Sequence, residues 1–481
     1  MAKRNEQFVT VLTNPEVDFP QWYTDVILQS QIVDYGPVKG TMVIRPYGFG
    51  MWENLQRQLD DRIKATGHQN AYFPLFIPES FLMKEAEHVE GFAPEAAWVT
   101  MGGNEQLTER IAIRPTSETI ICSMYQKWIQ SYRDLPVLIN QWANVVRWEK
   151  TTRPFLRTSE FLWQEGHTVH ATAEEAQEET LRMLEVYREF SENVLAIPMV
   201  TGQKTEKEKF AGAAATYSIE ALMQDGKALQ AGTSHNLGQH FSRVFNIQFQ
   251  TKEGKLEYGY QTSWGVTTRL IGAVVMVHGD GRGLVVPPRI APIQAVILPI
   301  AAHKGGVTEA CRDVADTLKT AGVRIHLDDR DTVSPGYKFN EWELKGVPLR
   351  LEIGPRDLEN GVTTIMRRDT LEKTTLPLER LAESIPALLD DIHMGMLRKA
   401  EDYLAAHTYD VHTLEEMEER LDNGKGYVRA MWCGDRACED AIKDKFSATA
   451  RNIPFSDESI GDTCVCCGGK AKNLVYWARA Y

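Results

Sequence analysis

From Val146 to His167 the chain has the length and punctuation of a strand, a basic loop and a returning strand. Val146-Arg147-Trp148-Glu149 sets an Arg/Glu pair into an apolar run, and Arg153-Pro154 marks the tip. Arg157 follows, and Phe161-Leu162-Trp163-Gln164-Glu165-Gly166-His167 returns lined with aromatic and polar groups. Two strands joined this closely pair antiparallel, so this part of the chain is expected to fold around an antiparallel sheet. An arginine fork holds a phosphate oxygen through two parallel hydrogen bonds, and a neighbouring carboxylate orients the fork or a metal. The combination suits a nucleoside triphosphate beside a small cationic substrate, although an Arg-x-Glu on a strand also serves as a structural ion pair. Neither a Walker A sequence nor a Rossmann glycine fingerprint occurs, so a nucleotide has no P-loop to sit on.

Around the hairpin, Met51, Leu55, Leu59 and Ile63 recur every four residues and mark an amphipathic helix after the extended Thr41–Pro46, with Gly67 placed to stop it. Ala71–Pro78 reads as a strand. Thr172 and Glu175 have capping-box spacing ahead of Leu181, Leu184, Tyr187 and Phe190, so a helix starts there. Strands around Ile113, Val146, Phe161 and Val274 are expected to supply a six- or seven-stranded, mainly antiparallel sheet with helices on one side, an α+β domain. From Ala291-Pro292 the pattern changes to strand Ala295–Leu298, helix Thr308–Ala321 ended by Gly322, strand Val323–Leu327 and strand Leu349–Ile353. That alternation predicts an α/β domain with parallel strands ending near residue 400. A helical link and a cysteine-rich tail follow. A chain of 481 residues is too long for one core, and the expected domains are 1–290, 291–400 and 401–481.

The net charge is −13, from 53 basic and 66 acidic residues. An RNA partner would therefore be met by local basic patches and shape rather than by a general pull on phosphate. Charge alone neither establishes nor excludes one, and no DNA partner is expected. No run approaches the roughly 18 apolar residues of a membrane span, and Met1–Gln7 has no apolar signal-peptide core behind it, so no membrane association and a cytoplasmic protein are expected. Five of the seven cysteines lie between Cys433 and Cys467. In a chain without a secretion signal such a cluster more often ligates metal than forms disulfides. Cys433-x4-Cys438 and Cys464-x2-Cys467 form two chelating pairs suited to a tetrahedral, structural Zn2+ site, with Cys466 an alternative in the second pair. Cys122 and Cys311 read as core residues.

Three further segments carry chemistry like that of the hairpin: Arg114-Pro115-Thr116-Ser117-Glu118, Gln230-Ala231-Gly232-Thr233-Ser234-His235 and Gly283–Arg289. With Gly36-Pro37-Val38-Lys39-Gly40 through Arg45-Pro46, they resemble the signature blocks of class II aminoacyl-tRNA synthetases, specifically the prolyl-tRNA synthetases, from about residue 10 to Tyr481. The resemblance implies a class II antiparallel-sheet catalytic domain, an α/β anticodon-binding domain and a small zinc-binding α+β C-terminal domain. It implies activation of L-proline by ATP with Mg2+, transfer to tRNA(Pro), and a homodimer with Pro46 at or near the interface.

By the same resemblance, Arg147 contacts the α-phosphate and the substrate carboxylate, with Glu149 orienting it or a magnesium ion. Arg289 packs on the adenine or reaches the γ-phosphate. Arg157, Thr158, Phe161, Gln230, Thr233 and Thr267 complete the ATP site. Thr116 and Glu118 receive the proline amine, and Trp163, Glu165, His167 and His235 line the pocket. The charged run Lys204–Gly212, which alone reads as a solvated loop, also occurs in the family. Roughly 110 residues separate His167 from Gly279, too few for the editing domain that bacterial-type relatives insert there, so no cis hydrolysis of mischarged alanyl-tRNA is expected. Proline anticodons carry two adjacent guanines, which arginines and a carboxylate can read. Glu343, Arg350 and Arg356 are the candidates. The terminal tyrosine is a family feature whose carboxylate reaches toward the catalytic domain. Two alternatives stand beside this expectation. One is another class II synthetase, threonyl or glycyl, against which the Thr116-Ser117-Glu118 block and the cysteine tail argue. The other is a noncatalytic paralogue acting as an RNA-binding or regulatory subunit, against which Arg147, Glu149 and Arg289 argue.

Overall fold

The hairpin forms as its sequence implies, between strands Val137–Val146 and Glu160–His170, with Val146 opposite Glu160 and Val137 opposite Val169. Arg147 is the first residue beyond the strand, so its side chain enters the loop. This computed structural model describes residues 11–86, 95–423 and 425–481; the Met1–Gln7 segment lies outside them. The hairpin belongs to a seven-stranded sheet in the order Gln69–Asn70, Val137–Val146, Glu160–His170, Tyr260–Thr267, Ala228–Gly238, Ala215–Leu222, Val200–Gln203. Every neighbouring pair is antiparallel except the first.

Helix Ala173–Leu195 packs across this sheet and buries Met183, Leu184, Tyr187, Phe190 and Val194. It begins at the capping box, where the Glu175 N–H donates to Thr172 Oγ1 at 3.2 Å and the Glu175 carboxylate accepts from the Thr172 N–H. Helix Pro46–Ala65 buries Met51, Leu55, Leu59 and Ile63. Gly67 stops it at φ +92°, a conformation that a Cβ disfavours.

Two of the strands expected in this sheet lie elsewhere. Ile113 ends strand Glu105–Ile113, which pairs with Ala97–Gly102 and Phe76–Pro78 in a separate three-stranded sheet. Only those last three residues of Ala71–Pro78 are extended in a ladder. Val274 sits in helix Arg269–His278, buried nearly all round. A continuous apolar run has no periodicity to separate a buried strand from a buried helix. The sheet takes its remaining long strands from Ala215–Leu222, Ala228–Gly238 and Tyr260–Thr267.

The second unit is a five-stranded sheet in the order Ile325–Leu327, Ala295–Pro299, Leu349–Ile353, Val362–Arg367, Lys373–Pro377. Its first three strands are parallel, as expected, and the last two add an antiparallel ribbon the alternation did not reveal. Helix Val307–Thr320 buries Cys311, Val314, Ala315 and Leu318. Cys311 and Cys122 are both buried, as core residues should be.

Helix Leu381–Ala406 leads to a four-stranded sheet, Thr408–Asp410, Tyr427–Trp432, Asn473–Ala478, Thr449–Asn452. This last unit extends the edge of the seven-stranded sheet: Gln203 and Ile453 exchange both backbone hydrogen bonds at 2.8 Å. The chain end bridges in parallel between Ala228 and Ala480, and the Tyr481 hydroxyl donates to Asp225 at 2.7 Å. No helix among the described residues is long and apolar enough to cross a membrane.

Candidate active site

Side chains two apart on a strand share a face, and register carries that face across the sheet. Glu165 lies opposite Gly265, and Gly265 opposite Thr233; His167 lies opposite Ser263, and Ser263 opposite His235. These rows floor a cavity of about 360 Å³. Its walls are Thr116 and Glu118, the loop residues Phe155–Thr158, Glu208–Phe210, and Arg269. Every residue expected at the ATP and proline sites lines it except Arg289.

At one end the polar groups are buried and tightly interlocked. The Thr116 hydroxyl donates to Glu118, and the Ser117 hydroxyl donates to Glu165 at 2.5 Å. Gln141 Nε2 donates to the same Glu165 oxygen at 2.8 Å, and His167 Nε2 lies 2.8 Å from the other. Glu118 is 6% exposed and Glu165 2%, so both carboxyl groups sit in a nearly dry wall. Burial works against a charged His167, but Glu165 and then Glu118 outweigh it and raise its pKa. Trp163 Nε1 and Ser263 Oγ are buried without a hydrogen-bond partner. Native structures rarely leave such atoms unsatisfied, so both are open to a bound polar group. Ser263 carries no sequence motif that would have singled it out.

His235 Nδ1 lies 2.9 Å from Thr216 Oγ1, and its ring packs 4.8 Å from that of Phe210. Burial, and then the charge of His167, depress its pKa to about 3. An unfolded imidazole titrates near 6.5, so the unfolded chain gains protons below that pH while His235 in the native chain does not. This position therefore destabilises the fold progressively as pH falls from about 6.5 toward 3. His278 adds to the loss in the same direction, its pKa depressed to about 4 by burial. The midpoint of thermal unfolding is expected to be lower at pH 5 than at pH 7 in a calorimetric scan.

The other end gathers cations. Arg147 Nε donates to the Pro115 carbonyl at 3.0 Å, and its guanidinium lies 5.5 Å from the Phe161 ring centroid and 5.7 Å from that of Trp163. Burial pushes its pKa down against the opposing charges of Glu118, Glu149 and Glu165. Arg269 stands at the start of helix Arg269–His278; its Nε donates to Leu156 O at 3.1 Å and its Nη1 to Gln230 O at 3.2 Å. Burial, then Arg157 and Arg147, hold its pKa down to about 10. Three arginines lining one open cavity, two of which depress the third, form a receptor for a polyanion. Thr267 Oγ1 accepts from the Arg269 N–H at 3.0 Å, and the Thr158 hydroxyl donates to Glu160 O at 2.7 Å. Glu149, Arg157, Gln230 and Thr233 complete the wall.

Arg289 is not part of this constellation. Its guanidinium donates to the Asn193 carbonyl and lies 3.9 Å from Asp390, so it joins the end of one helix to the link helix. Arg269 lines the cavity and Arg289 does not. The sequence signal for Arg269 is Thr267-Thr268-Arg269, which sets an arginine two residues from an expected ATP contact.

The three candidates in the second unit differ in availability. Arg356 is exposed on helix Pro355–Glu359. Glu343 accepts from Arg282 at 3.0 Å. Arg350 is 8% exposed, hydrogen-bonded to Glu352 and stacked 4.3 Å from Phe339, so its guanidinium is engaged within the fold. In the third unit Cys433, Cys438, Cys464 and Cys467 bring their sulfurs within 4.8 Å of one another, without Cys466. Sγ separations of 3.7 Å for Cys433–Cys438 and 3.9 Å for Cys433–Cys467 compare with the roughly 3.8 Å set by tetrahedral Zn–S bonds. The donor set fits a structural metal with no open position. Gly468, at φ +67°, closes the knuckle as its N–H donates to Cys464 O at 2.9 Å.

Comparison with known proteins agrees with each unit. Residues 98–278 match the tRNA synthetase class II core domain (G, H, P, S and T), residues 294–388 the anticodon binding domain, and residues 414–481 the prolyl-tRNA synthetase C-terminal domain. The chain is 62% identical to a proline--tRNA ligase of Alkaliphilus oremlandii and 58% identical to proline--tRNA ligase 2 of Clostridioides difficile, each over the full length of both chains. The crystal structure of prolyl-tRNA synthetase from Cryptosporidium parvum, complexed with halofuginone and AMPPNP, superposes with a TM-score of 0.94 at 42% identity, covering 99% of this chain and 100% of that one. The chain belongs to the proline--tRNA ligases, the prolyl-tRNA synthetases of class II.

Proposed function

We infer that this chain attaches L-proline to tRNA(Pro) in two ATP-dependent steps. The observation that carries this reading is one cavity with two buried carboxyl groups at one end, Arg157 and Arg269 at the other and Arg147 between them. In the first step a proline carboxylate oxygen attacks the α-phosphorus of ATP in line. The new O–P bond forms as the bond to the bridging oxygen breaks, and pyrophosphate leaves with that electron pair. No proton need be abstracted, so the protein positions the reactants and spreads charge. In the second step a terminal ribose hydroxyl of the tRNA attacks the prolyl carbonyl; the ester C–O bond forms, the carbonyl's bond to the AMP oxygen breaks, AMP leaves with that electron pair, and the hydroxyl proton is released.

Glu118 and Thr116 receive the ammonium. Trp163, Glu165, His167 and a neutral His235 enclose the ring, and Arg147 spans the proline carboxylate and the α-phosphate. Phe161 stacks on adenine, with Arg157, Thr158, Gln230, Thr233 and Thr267 around the nucleotide. Arg269 takes the phosphate role expected of Arg289. Glu149 is the carboxylate placed to meet Mg2+, which favours oxygen ligands and phosphate bridges. Cys433, Cys438, Cys464 and Cys467 would hold a structural Zn2+, which when bound staples the small C-terminal unit. The working domains are 1–290, 291–400 and 401–481, and the protein acts as a cytoplasmic homodimer.

The test of the whole reaction is charging of tRNA(Pro) transcripts with labelled proline; failure to charge them would remove the second step. For the anticodon, Arg356→Ala is expected to lower charging by about 10-fold, the loss of one base-reading contact, while ATP–pyrophosphate exchange stays unchanged. Equal loss of both activities would contradict that assignment.

A further inference from the structure

Three consecutive residues of helix Arg436–Phe446 serve three connections. Cys438 belongs to the thiol cluster, Glu439 accepts from the Thr205 hydroxyl at 2.8 Å, and Asp440 pairs with Lys207 at 2.6 Å. Thr205 is the pivot of the turn that follows. Its carbonyl accepts from the N–H groups of Glu208 at 3.1 Å and Lys209 at 3.0 Å, and its hydroxyl also accepts from the Glu208 N–H. That turn delivers Glu208, Lys209 and Phe210 into the cavity wall. The Phe210 N–H donates at 3.0 Å to Thr216 Oγ1, the atom that contacts His235.

The root of the turn is anchored to the same unit. Lys204 Nζ contacts Glu220 and the Arg451 carbonyl, each at 2.6 Å, and Arg451 Nη2 meets the other Glu220 oxygen at 2.9 Å. Lys204, Glu220 and Arg451 are all buried. Removing one member of such a triad leaves a buried charge uncompensated, so the C-terminal unit and the base of the turn are held together. The charged run is thus a clamped segment between two domains, although its composition reads as a solvated loop.

We propose that Glu439 is a positioning residue for the substrate cavity. Acting through Thr205, it holds the 205–210 turn, and with it Phe210, against His235, so that the cysteine-rich domain contributes to proline affinity without touching proline. The inference rests on the reading of this cavity as the proline-activating site.

The test uses the full-length chain with Thr205→Val, Glu439→Ala and the two together, measuring ATP–pyrophosphate exchange kinetics and amide hydrogen exchange of residues 204–212. Each single variant is expected to raise the KM for proline by about tenfold, the loss of a buried hydrogen bond to a carboxylate. The kcat and the KM for ATP stay within about twofold, and the double variant is no worse than the worse single one, as two substitutions that break one bond should be. Hydrogen exchange of 204–212 accelerates in Thr205→Val, which leaves helix Arg436–Phe446 intact. A proline KM unchanged in Thr205→Val, or effects of the two substitutions that multiply, would overturn the proposal. If the unsubstituted chain supports no proline-dependent exchange, the functional reading fails instead. Equal loss of 204–212 protection in the two single variants would still support the link between the domains, and unchanged protection would overturn it.

Discussion

Arg147→Ala is expected to reduce proline-dependent ATP–pyrophosphate exchange by about 10³-fold, at the upper end of what removal of one preorganised donor costs. Arg147 stands between the carboxylate end and the cationic end of the cavity, so no second donor replaces it. Its Nε is fixed on the Pro115 carbonyl, and the rings of Phe161 and Trp163 hold the guanidinium plane. The fork is therefore oriented before substrate arrives and pays little reorganisation in the transition state. Arg147→Lys should recover only a small part, because an ammonium cannot bridge two oxygens in one plane. Neither change should unfold the chain, since Arg147 lines an open cavity and its loss both removes the attraction of Glu118, Glu149 and Glu165 and relieves the repulsion with Arg269. Steady-state kcat/KM and a thermal melt on the same samples check both halves; a loss of activity that tracks a fall in Tm would assign Arg147 a structural role.

The second large effect separates two arginines. Arg269→Ala is expected to lower exchange by about 10²–10³-fold with a raised KM for ATP, because Arg269 faces Arg147 and Arg157 across the space a polyphosphate would fill. Arg289→Ala should leave the KM for ATP unchanged and cost about 1 kcal/mol of stability, the scale of one hydrogen bond to a backbone carbonyl with a partly exposed ion pair. Kinetics in varied ATP and chemical denaturation distinguish them. The opposite pattern, with Arg289→Ala losing ATP affinity and Arg269→Ala silent, would return the phosphate role to the later residue.

These two arginines show where the chain is legible and where it is not. The hairpin, the capping box at Thr172 and the helix at Met51–Ile63 could be read because each is local: a turn, a cap and a four-residue period act over a few residues. Leu349–Ile353 could be read because a short apolar run bounded by turns leaves few alternatives. Val274 could not, because in Leu270–Met276 every face is apolar. Ile113 is extended, as its surroundings imply, but pairs in the three-stranded sheet, since alternation says nothing about which strand lies alongside. Candidates for the carboxylate end were found because Thr116, Glu118, Glu165 and His167 lie in two compact motifs. Ser263, Phe210 and Arg269 come from separate elements that only the sheet register and the docked C-terminal unit bring to the cavity. The zinc-type cluster is intermediate: spacing leaves one choice between cysteines open, and in the fold the four sulfurs that lie within 4.8 Å of one another are those of Cys433, Cys438, Cys464 and Cys467.

The most direct test of the central claim is ATP–pyrophosphate exchange by the purified chain, with each amino acid supplied separately and no tRNA present. Exchange that depends on proline is the predicted result. Exchange that depends on a different amino acid, or none with any of them, would contradict the assignment of this cavity to proline activation.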